Sequence, residues 1–406
     1  MRIRTIALLL AALCMAAVLA GCGGGAGQDT GKNADKYGAA VSFEGEAHDA
    51  RVMFVNVGKA DCAVVDIDGS VWLVDTGTEE SFVRTYSALE ALGVNALAGI
   101  VLTHEHDDHV GGLENMVTKF PVKTVYSPEY LMSRIEIDSK LTDLEIKGVT
   151  VKAGDTIPVA GGVAFEVLAP QSLITASGDD NDNSMILRLT VNGRTFLFTG
   201  DMQNAEETAL MESGAQLAAD VLKVGNHGNK DATSDAFAKA VSPLIAVIST
   251  DTNVDANSAS GVVRQRLGMA DVILTQNSEL GVLLTVSKKG EISVSYPERH
   301  KAEYTQLAVT EASKADQTFT VTNSGSEDID ISGWFVWSTK GCEVFIYPEG
   351  TVVPAGGSVM VACRKSALAD SADIVWQKKK VWADSKQDYA VLCDAYGNEL
   401  GRCLSK

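Results

Sequence analysis

The sequence predicts an α/β domain over about residues 51–297, followed by an all-β domain with an immunoglobulin-like sandwich pattern over about 305–406. From Arg51 to about Val294, short apolar runs alternate with stretches of helical periodicity, as in α/β architectures. After Tyr296-Pro297-Glu298-Arg299-His300 the pattern becomes alternating β segments broken by glycine turns, and this part holds four of the five tryptophans. With 406 residues and 46% hydrophobic content, the chain is long and apolar enough for two cores.

The N-terminus reads as an export signal over residues 1–22. Arg2 and Arg4 precede an apolar stretch from Ile6 to Val18, and Leu19-Ala20-Gly21-Cys22 resembles a bacterial lipobox whose cysteine is lipidated. An uncleaved membrane anchor is the alternative, but Ile6–Ala20 falls short of the ~20 apolar residues a spanning helix needs. Cys22 is therefore expected to carry lipid, tethering the protein to the outer face of the bacterial cytoplasmic membrane. Residues 23–50, rich in glycine and polar side chains, are expected to form a flexible linker.

Strands are expected at Val52–Val57, Ala63–Ile67 and Val71–Val74, the last running into Asp75-Thr76-Gly77. A helix follows from about Phe82 to Leu92, and Ile100–Leu102 forms a buried strand. Asn192-Gly193 between Met185–Val191 and Thr195–Phe198 marks a tight hairpin, since both residues tolerate positive φ. Val221–Val224 and Ile245–Ile248 are further strands, and Lys288-Lys289-Gly290 turns a closing hairpin.

The chemistry concentrates in His104-Glu105-His106-Asp107-Asp108-His109, where three of the six histidines fall within six residues. Imidazoles suit zinc and other transition metals, and carboxylates add charge and can bridge two ions. His104 and His106 can face one metal, and Asp108 and His109 a second, while Gly111 and Gly112 let the chain turn into the next helix. A polar surface loop is the bland alternative, and the density of histidines argues against it. The net charge of −19 argues against broad electrostatic binding to nucleic acid. It leaves a phosphodiester substrate open, because bound cations can reverse the local field.

These residues give the stretch from about Arg51 to Ser295 a resemblance to the metallo-β-lactamase superfamily. Asp75 matches the residue that supports the metal loop. His104, His106, Asp108 and His109 match the metal motif, Asp201 the bridging carboxylate, and His227 the last histidine ligand. Within the superfamily the chain is similar to the extracellular hydrolase domain of ComEC-type DNA-uptake proteins and to phosphorylcholine esterases. Asn56-Val57-Gly58-Lys59-Ala60-Asp61 and Asn183-Ser184-Met185 carry that likeness.

The resemblance implies an αββα sandwich holding two divalent ions, zinc first, with manganese and iron as alternatives. In it, an activated water attacks a phosphoryl or carbonyl centre, oriented by Asp108 and Asp201. The chain departs from the pattern in three places. No histidine lies between His109 and Asp201, so Asp182 and Asn183 of the acidic segment 179–183 are candidate replacement ligands. Asn226 stands where the subgroup often has a second histidine, and Asn226, Asn229 or Lys230 are candidates to stabilise the oxyanion. Asp255-Ala256-Asn257-Ser258 stands near the place of a missing glycine–histidine–proline element.

In the C-terminal part, Phe319–Gly325, Asp330–Trp334 and Val353–Gly357 resemble the lamin-tail domain, with Trp334 expected between the sheets. Trp376 and Trp382 flank Lys378-Lys379-Lys380, which reads as a solvated basic loop or as a patch contacting polymer or lipid at the cell surface. Cys342, Cys363, Cys393 and Cys403 allow three disulfide pairings in an exported protein, while Cys62 reads as a small hydrophobe.

The expected activity is that of a membrane-tethered extracellular two-metal hydrolase acting on phosphodiester bonds of nucleic-acid or choline-phosphate type. The alternatives are a lactone, thioester or β-lactam hydrolase on the same core, and a catalytically degenerate surface-binding lipoprotein.

Overall fold

The computed structural model describes residues 37–132, 134–176, 178–383 and 387–406. The export signal and Cys22 lie outside the described residues. Six strands open the domain: β1 (Ala50–Val55), β2 (Ala63–Ile67), β3 (Ser70–Val74), β4 (Gly99–Val101), β5 (Thr124–Pro128) and β6 (Lys147–Val151). A second sheet follows from β7 (Thr156–Ala160), β8 (Val163–Ala169), β9 (Ile186–Val191), β10 (Arg194–Phe198), β11 (Val221–Lys223), β12 (Ile245–Ile248) and β13 (Asp271–Leu274). The chain then returns to the first sheet with β14 (Gly281–Val286) and β15 (Ile292–Ser295), giving the order β15-β14-β1-β2-β3-β4-β5-β6 against β13-β12-β11-β10-β9-β8-β7. Each sheet is antiparallel on one side and parallel on the other, the change falling at β3 and at β10.

Strand periodicity explains the layers. In β1, Val52 and Phe54 point between the sheets, while Met53 and Val55 point outward to helices α1 (Phe82–Ala91) and α3 (Leu113–Lys119), the latter preceded by the short α2 (Asp107–Val110). In β10, Phe196 and Phe198 join the layer between the sheets. Leu197 faces outward to α5 (Asn204–Glu212), α6 (Asp235–Val241) and α7 (Gly261–Arg266), beyond α4 (Arg134–Asp143) in sequence. Strands buried on both faces read as unbroken apolar runs, so Val221-Leu222 and Ile245–Ile248 show no alternation. The result is an αββα sandwich. Asn192 (φ 49°) and Gly193 (φ 73°) turn the expected hairpin, and the first helix runs Phe82–Ala91.

Residues 37–50 of the expected linker contact the folded domain. The amide of Val41 donates to the carbonyl of Lys289, Arg194 donates to the carbonyl of Ala39, and Tyr37 packs against the core between the sheets. His48 is buried, bonded through Nδ1 to Asp68 Oδ2 at 2.6 Å, with its backbone held by the Asn192 amide. The described part of that stretch, residues 37–50, is a strap laid along the sandwich.

The C-terminal domain pairs two four-stranded sheets. One runs Leu307–Ser313, Thr318–Asn323, Ser358–Cys363 and Ile374–Trp376. The other runs Val344–Ile346, Phe335–Ser338, Tyr389–Cys393 and Glu399–Leu404. Trp334 and Trp382 are buried in its core and Trp376 packs against it, the Trp382 indole donating to Thr318 O. The tryptophans around the basic run thus serve the core and form no exposed aromatic patch. Lys378 turns back to pair with Glu114 at 3.2 Å. All five described cysteines are free thiols.

The two domains share one apolar seam. Phe335, Val344, Val391 and Cys393 join the cluster built on Phe82, Tyr86 and Leu89, with the Phe335 and Tyr86 rings edge to face at 5.0 Å. Tyr86 also donates to Ala395 O (2.6 Å), and Lys119 to Gly333 O (3.2 Å). Among the described residues no helix is long and apolar enough to cross a membrane.

Candidate metal centre

The site lies beyond the carboxyl ends of β3, β4, β10 and β11, where α/β sheets place their ligands. β3 delivers Asp75, β4 the histidine loop, β10 Asp201 and β11 His227. The histidine loop is clamped to the Asp75 turn. Thr76 donates to His109 O through both its amide (2.7 Å) and its hydroxyl (3.0 Å). A Cβ on Gly111 would meet Asp107 O at 2.4 Å, and one on Gly112 would meet Thr76 O at 2.4 Å, so both approaches need glycine.

Four donors converge. His227 Nε2 lies 3.1 Å from Asp201 Oδ2 and 3.2 Å from Asp108 Oδ2, and His109 Nε2 lies 3.3 Å from Asp201 Oδ2. With metal–ligand bonds of about 2.0–2.1 Å, adjacent donors of a tetrahedron sit roughly 3.3 Å apart. The two Nε2 atoms and Asp201 Oδ1 are buried without a hydrogen-bond partner, an expensive state that a cation would relieve. The donor set therefore fits a divalent metal.

The rear nitrogens are also engaged, which aims the front ones. His109 Nδ1 is 2.8 Å from Asp75 Oδ2, and Asp75 accepts further bonds from the amide (2.7 Å) and hydroxyl (2.8 Å) of Thr103. His227 Nδ1 is 2.9 Å from Ser249 O. Metal-bound histidines need such partners to fix tautomer and ring orientation. His227 and Asn226 hold left-handed backbone, at φ 49° and 43°, which costs about 1–3 kcal/mol per residue for side chains other than glycine. The Ala259 amide bonded to His227 O and the Asn229 amide bonded to Asn226 O keep that turn in place.

A second pair lies beside the four. His104 Nε2 and His106 Nδ1 are 3.1 Å apart, and the rings of His104 and His109 nearly touch, at 4.0 Å between centroids. The outer nitrogen of His106 has Asp179 Oδ1 at 3.8 Å, so Asp179 stands behind the imidazole, on the side away from His104. Asp182 and Asn183 are not brought to this pair. Asp182 Oδ1 accepts from the Glu206 amide, and Asn183 bonds to both backbone groups of Ile174 and to Asp180.

Burial opposes charge throughout. It is outweighed at Asp108 and Asp201, whose carboxyls His227 and His109 hold well below the usual range. Asp201 and Asp75 hold His109 well above its ordinary value, and Asp201 with Asp108 holds His227 up to about 9. His104 is pushed down by burial and by neighbouring His109.

The oxyanion candidates Asn226 and Asn229 bond within their own loop. Asn226 donates to Asp231 Oδ1 (3.2 Å) and accepts from Asn229 (3.3 Å), so the two amides are tied to each other's loop. Asn229 and Lys230 line a cleft of about 590 Å³ with Asp255, Ala256, Asn257 and Ser260.

Sequence reasoning assigned no role to Asp61, Lys223 or Lys59. Lys223 is buried, pairs with Asp61, donates to Gly200 O (2.8 Å) and lies 3.6 Å from Asp201 Oδ1. Its signal was a charged residue inside the apolar strand Val221-Leu222-Lys223-Val224, which demands a buried partner. Lys223 stands where Asp61, Asp75 and His109 could otherwise gather a further cation.

Residues 55–252 match the model of the Metallo-beta-lactamase superfamily, and residues 301–404 that of the Lamin Tail Domain. The chain carries a metallo-β-lactamase domain and a lamin tail domain. It is 32% identical over 168 residues to ComE operon protein 3 of Bacillus subtilis (strain 168), covering 41% of this chain and 21% of that protein. It is 30% identical over 217 residues to Competence protein ComA of Neisseria gonorrhoeae, covering 52% of this chain and 29% of that protein. The chain thus spans less than a third of the length of these relatives. Among solved structures it is similar to the metallo-beta-lactamase fold protein YhfI from Bacillus subtilis, with a TM-score of 0.41 at 15% identity, over 58% of this chain and 99% of that one.

Proposed function

We propose that this protein is a membrane-tethered extracellular metal-dependent hydrolase that cleaves phosphodiester bonds, of nucleic-acid or choline-phosphate type. The observation that carries the reading is the convergence of Asp108, His109, Asp201 and His227 on one point, with both Nε2 atoms unpartnered. Asp108, His109, Asp201 and His227 would hold one ion, and His104 and His106, sharing Asp201, a second, with zinc favoured by the imidazole content. Divalent cations held there supply Lewis acidity and an acidified water.

The chain's own residues do the rest. Asp75 and Ser249 O set the imidazole orientations, and the buried Lys223–Asp61 pair holds the back of the site. Asp108, at the open edge, and Asp201, in the interior, would orient the nucleophile. A relative named as a competence protein favours a nucleic-acid substrate, and lipid on Cys22 would place the site outside the membrane.

The test uses the full chain. Bound metal is measured by elemental analysis, and phosphodiester, lactone, thioester and β-lactam substrates are assayed alongside Asp201→Ala and His227→Ala. Metal retention with diester cleavage, both lost in the variants, is the expected result. Absence of bound metal, or activity surviving both substitutions, would overturn the reading. Cleavage of only a carbonyl substrate would move the function to the lactone, thioester or β-lactam alternative. Metal without any turnover would favour a surface-binding lipoprotein.

A further inference from the structure

We propose that Lys59 is an anion-binding residue of this site, whose ammonium receives a non-bridging oxygen of a phosphodiester. The proposal rests on the hydrolase reading above and narrows its substrate to one bearing negative charge next to the scissile bond.

The donor cluster has one open edge. His109 and His227 have fully buried side chains, whereas those of Asp108 and Lys59 are 20% and 27% exposed. Lys59 Nζ lies 2.8 Å from Asp108 Oδ2, on the carboxylate oxygen that also faces His227. A lysine ammonium offers three protons. Among the described residues Lys59 hydrogen-bonds to Asp108 alone, which leaves two donors at the solvent edge.

Lys223, the other lysine in contact with the cluster, differs on every point. It is buried behind the histidines, pairs with Asp61 and donates to Gly200 O, so it cannot meet a substrate.

The backbone presents Lys59 rigidly. The Asp61 amide donates to Asp108 O (3.0 Å), and Gly77 donates to Asp61 O (2.8 Å). On the other side Asn56 is held by the carbonyls of Leu280 and Ser278. Gly58, at φ 88°, makes the turn that lifts Lys59 to the rim. Such a cation has a clear electrostatic use. A chain with 53 acidic and 34 basic side chains repels anions at long range, so an anionic substrate must find its positive charge locally.

A purely structural Lys59 would brace Asp108, and its loss would harm metal binding and all substrates alike. The experiment compares full-length, metal-loaded wild type with Lys59→Met and Lys59→Arg. Substrates are bis-para-nitrophenyl phosphate and the neutral para-nitrophenyl acetate, and metal content is measured in parallel. Binding of inorganic phosphate is followed by calorimetry.

Lys59→Met is expected to cost the diester about ten-fold more than the acetate, mainly in KM, and to weaken phosphate binding about ten-fold, with arginine restoring most of both. Equal losses on the two esters, a fall in bound metal that accounts for them, or unchanged phosphate affinity would overturn the proposal. If wild type cleaves no diester yet binds phosphate in a Lys59-dependent way, the hydrolase reading fails and the anion site stands.

Discussion

Replacing Asp75 by asparagine tests whether the rear of the site tunes the front. Asp75 is 1% exposed and accepts three bonds: from the Thr103 amide, from the Thr103 hydroxyl and from His109 Nδ1. Asparagine keeps the volume, but one of its two terminal atoms becomes a donor, so either the Thr103 amide, on Oδ1, or His109 Nδ1 and the Thr103 hydroxyl, which share Oδ2, lose their acceptor. The orphaned group costs about 1–3 kcal/mol of stability. If the displaced bond is that of His109, the imidazole also loses the carboxylate that raises its basicity, and metal affinity should fall about 10–100-fold. That range corresponds to roughly 1.4–2.8 kcal/mol. The measurement is competition against a chromogenic chelator on the full chain, with thermal unfolding of the metal-free protein in parallel. A Tm loss with metal affinity unchanged within about two-fold would refute the reasoning, because Asp75 would then only hold the loop.

The other expectations follow from the same geometry. Metal titration should show one tight site and one weaker, since His104 and His106 lack a third protein donor of their own; two equal sites by calorimetry would contradict this. Binding should release protons, because carboxylates keep His109 and His227 protonated and a protonated imidazole cannot ligate. Apparent affinity should therefore rise with pH up to about 9, and calorimetry in buffers of different ionisation enthalpy counts the protons. Lys223→Met leaves Asp61 buried and unpaired and should destabilise by about 3–5 kcal/mol in denaturant melts, with Asp61→Asn restoring much of it. Phe335→Ala, in the seam between domains, should cost about 3–5 kcal/mol and split one unfolding transition into two by calorimetry. Burial lifts the Glu343 carboxyl to about 7, above its unfolded value. Its contribution is thus fully present below about 4.5 and lost as pH rises through 7, a slope that Glu343→Gln should remove from a stability–pH profile.

Much of the fold was legible because local chemistry and burial agreed. Apolar runs gave the central strands, Asn192-Gly193 gave the hairpin, and the glycines after the histidine cluster marked a backbone approach that the Gly112–Thr76 contact makes explicit. The metal donors were legible because histidine and aspartate at that density have few other uses. What pattern could not show was direction. Asp182 and Asn183 lie in the right segment, but their side chains are spent on the backbone of Ile174 and on the Glu206 amide. Asn226 follows the same logic, its amide captured by Asp231 within a loop too irregular to be read from propensity. The strap was missed because Val41 and Arg194, far apart in sequence, meet the same glycine hairpin, Val41 through its amide and Arg194 through its guanidinium, in contacts that leave no mark on composition.

Topology explains why residues as distant as Asp75 and His227 make one site. The switch from antiparallel to parallel pairing at β3 and β10 sends β3, β4, β10 and β11 out at the same edge, so each delivers its polar loop to one place. The strap is bound at the other edge, where Arg194 begins β10 and the β14–β15 turn closes at Gly290. Five residues of β10 at about 3.4 Å each put roughly 17 Å between those ends. The edge that packs the N-terminal segment is therefore free of the strain at Asn226 and His227. The edge that carries the strain is held by Ser249 O and by the Ala259 amide. Stability and chemistry occupy opposite ends of the same strands, and the left-handed turn at His227 persists because its neighbours are bonded independently of it.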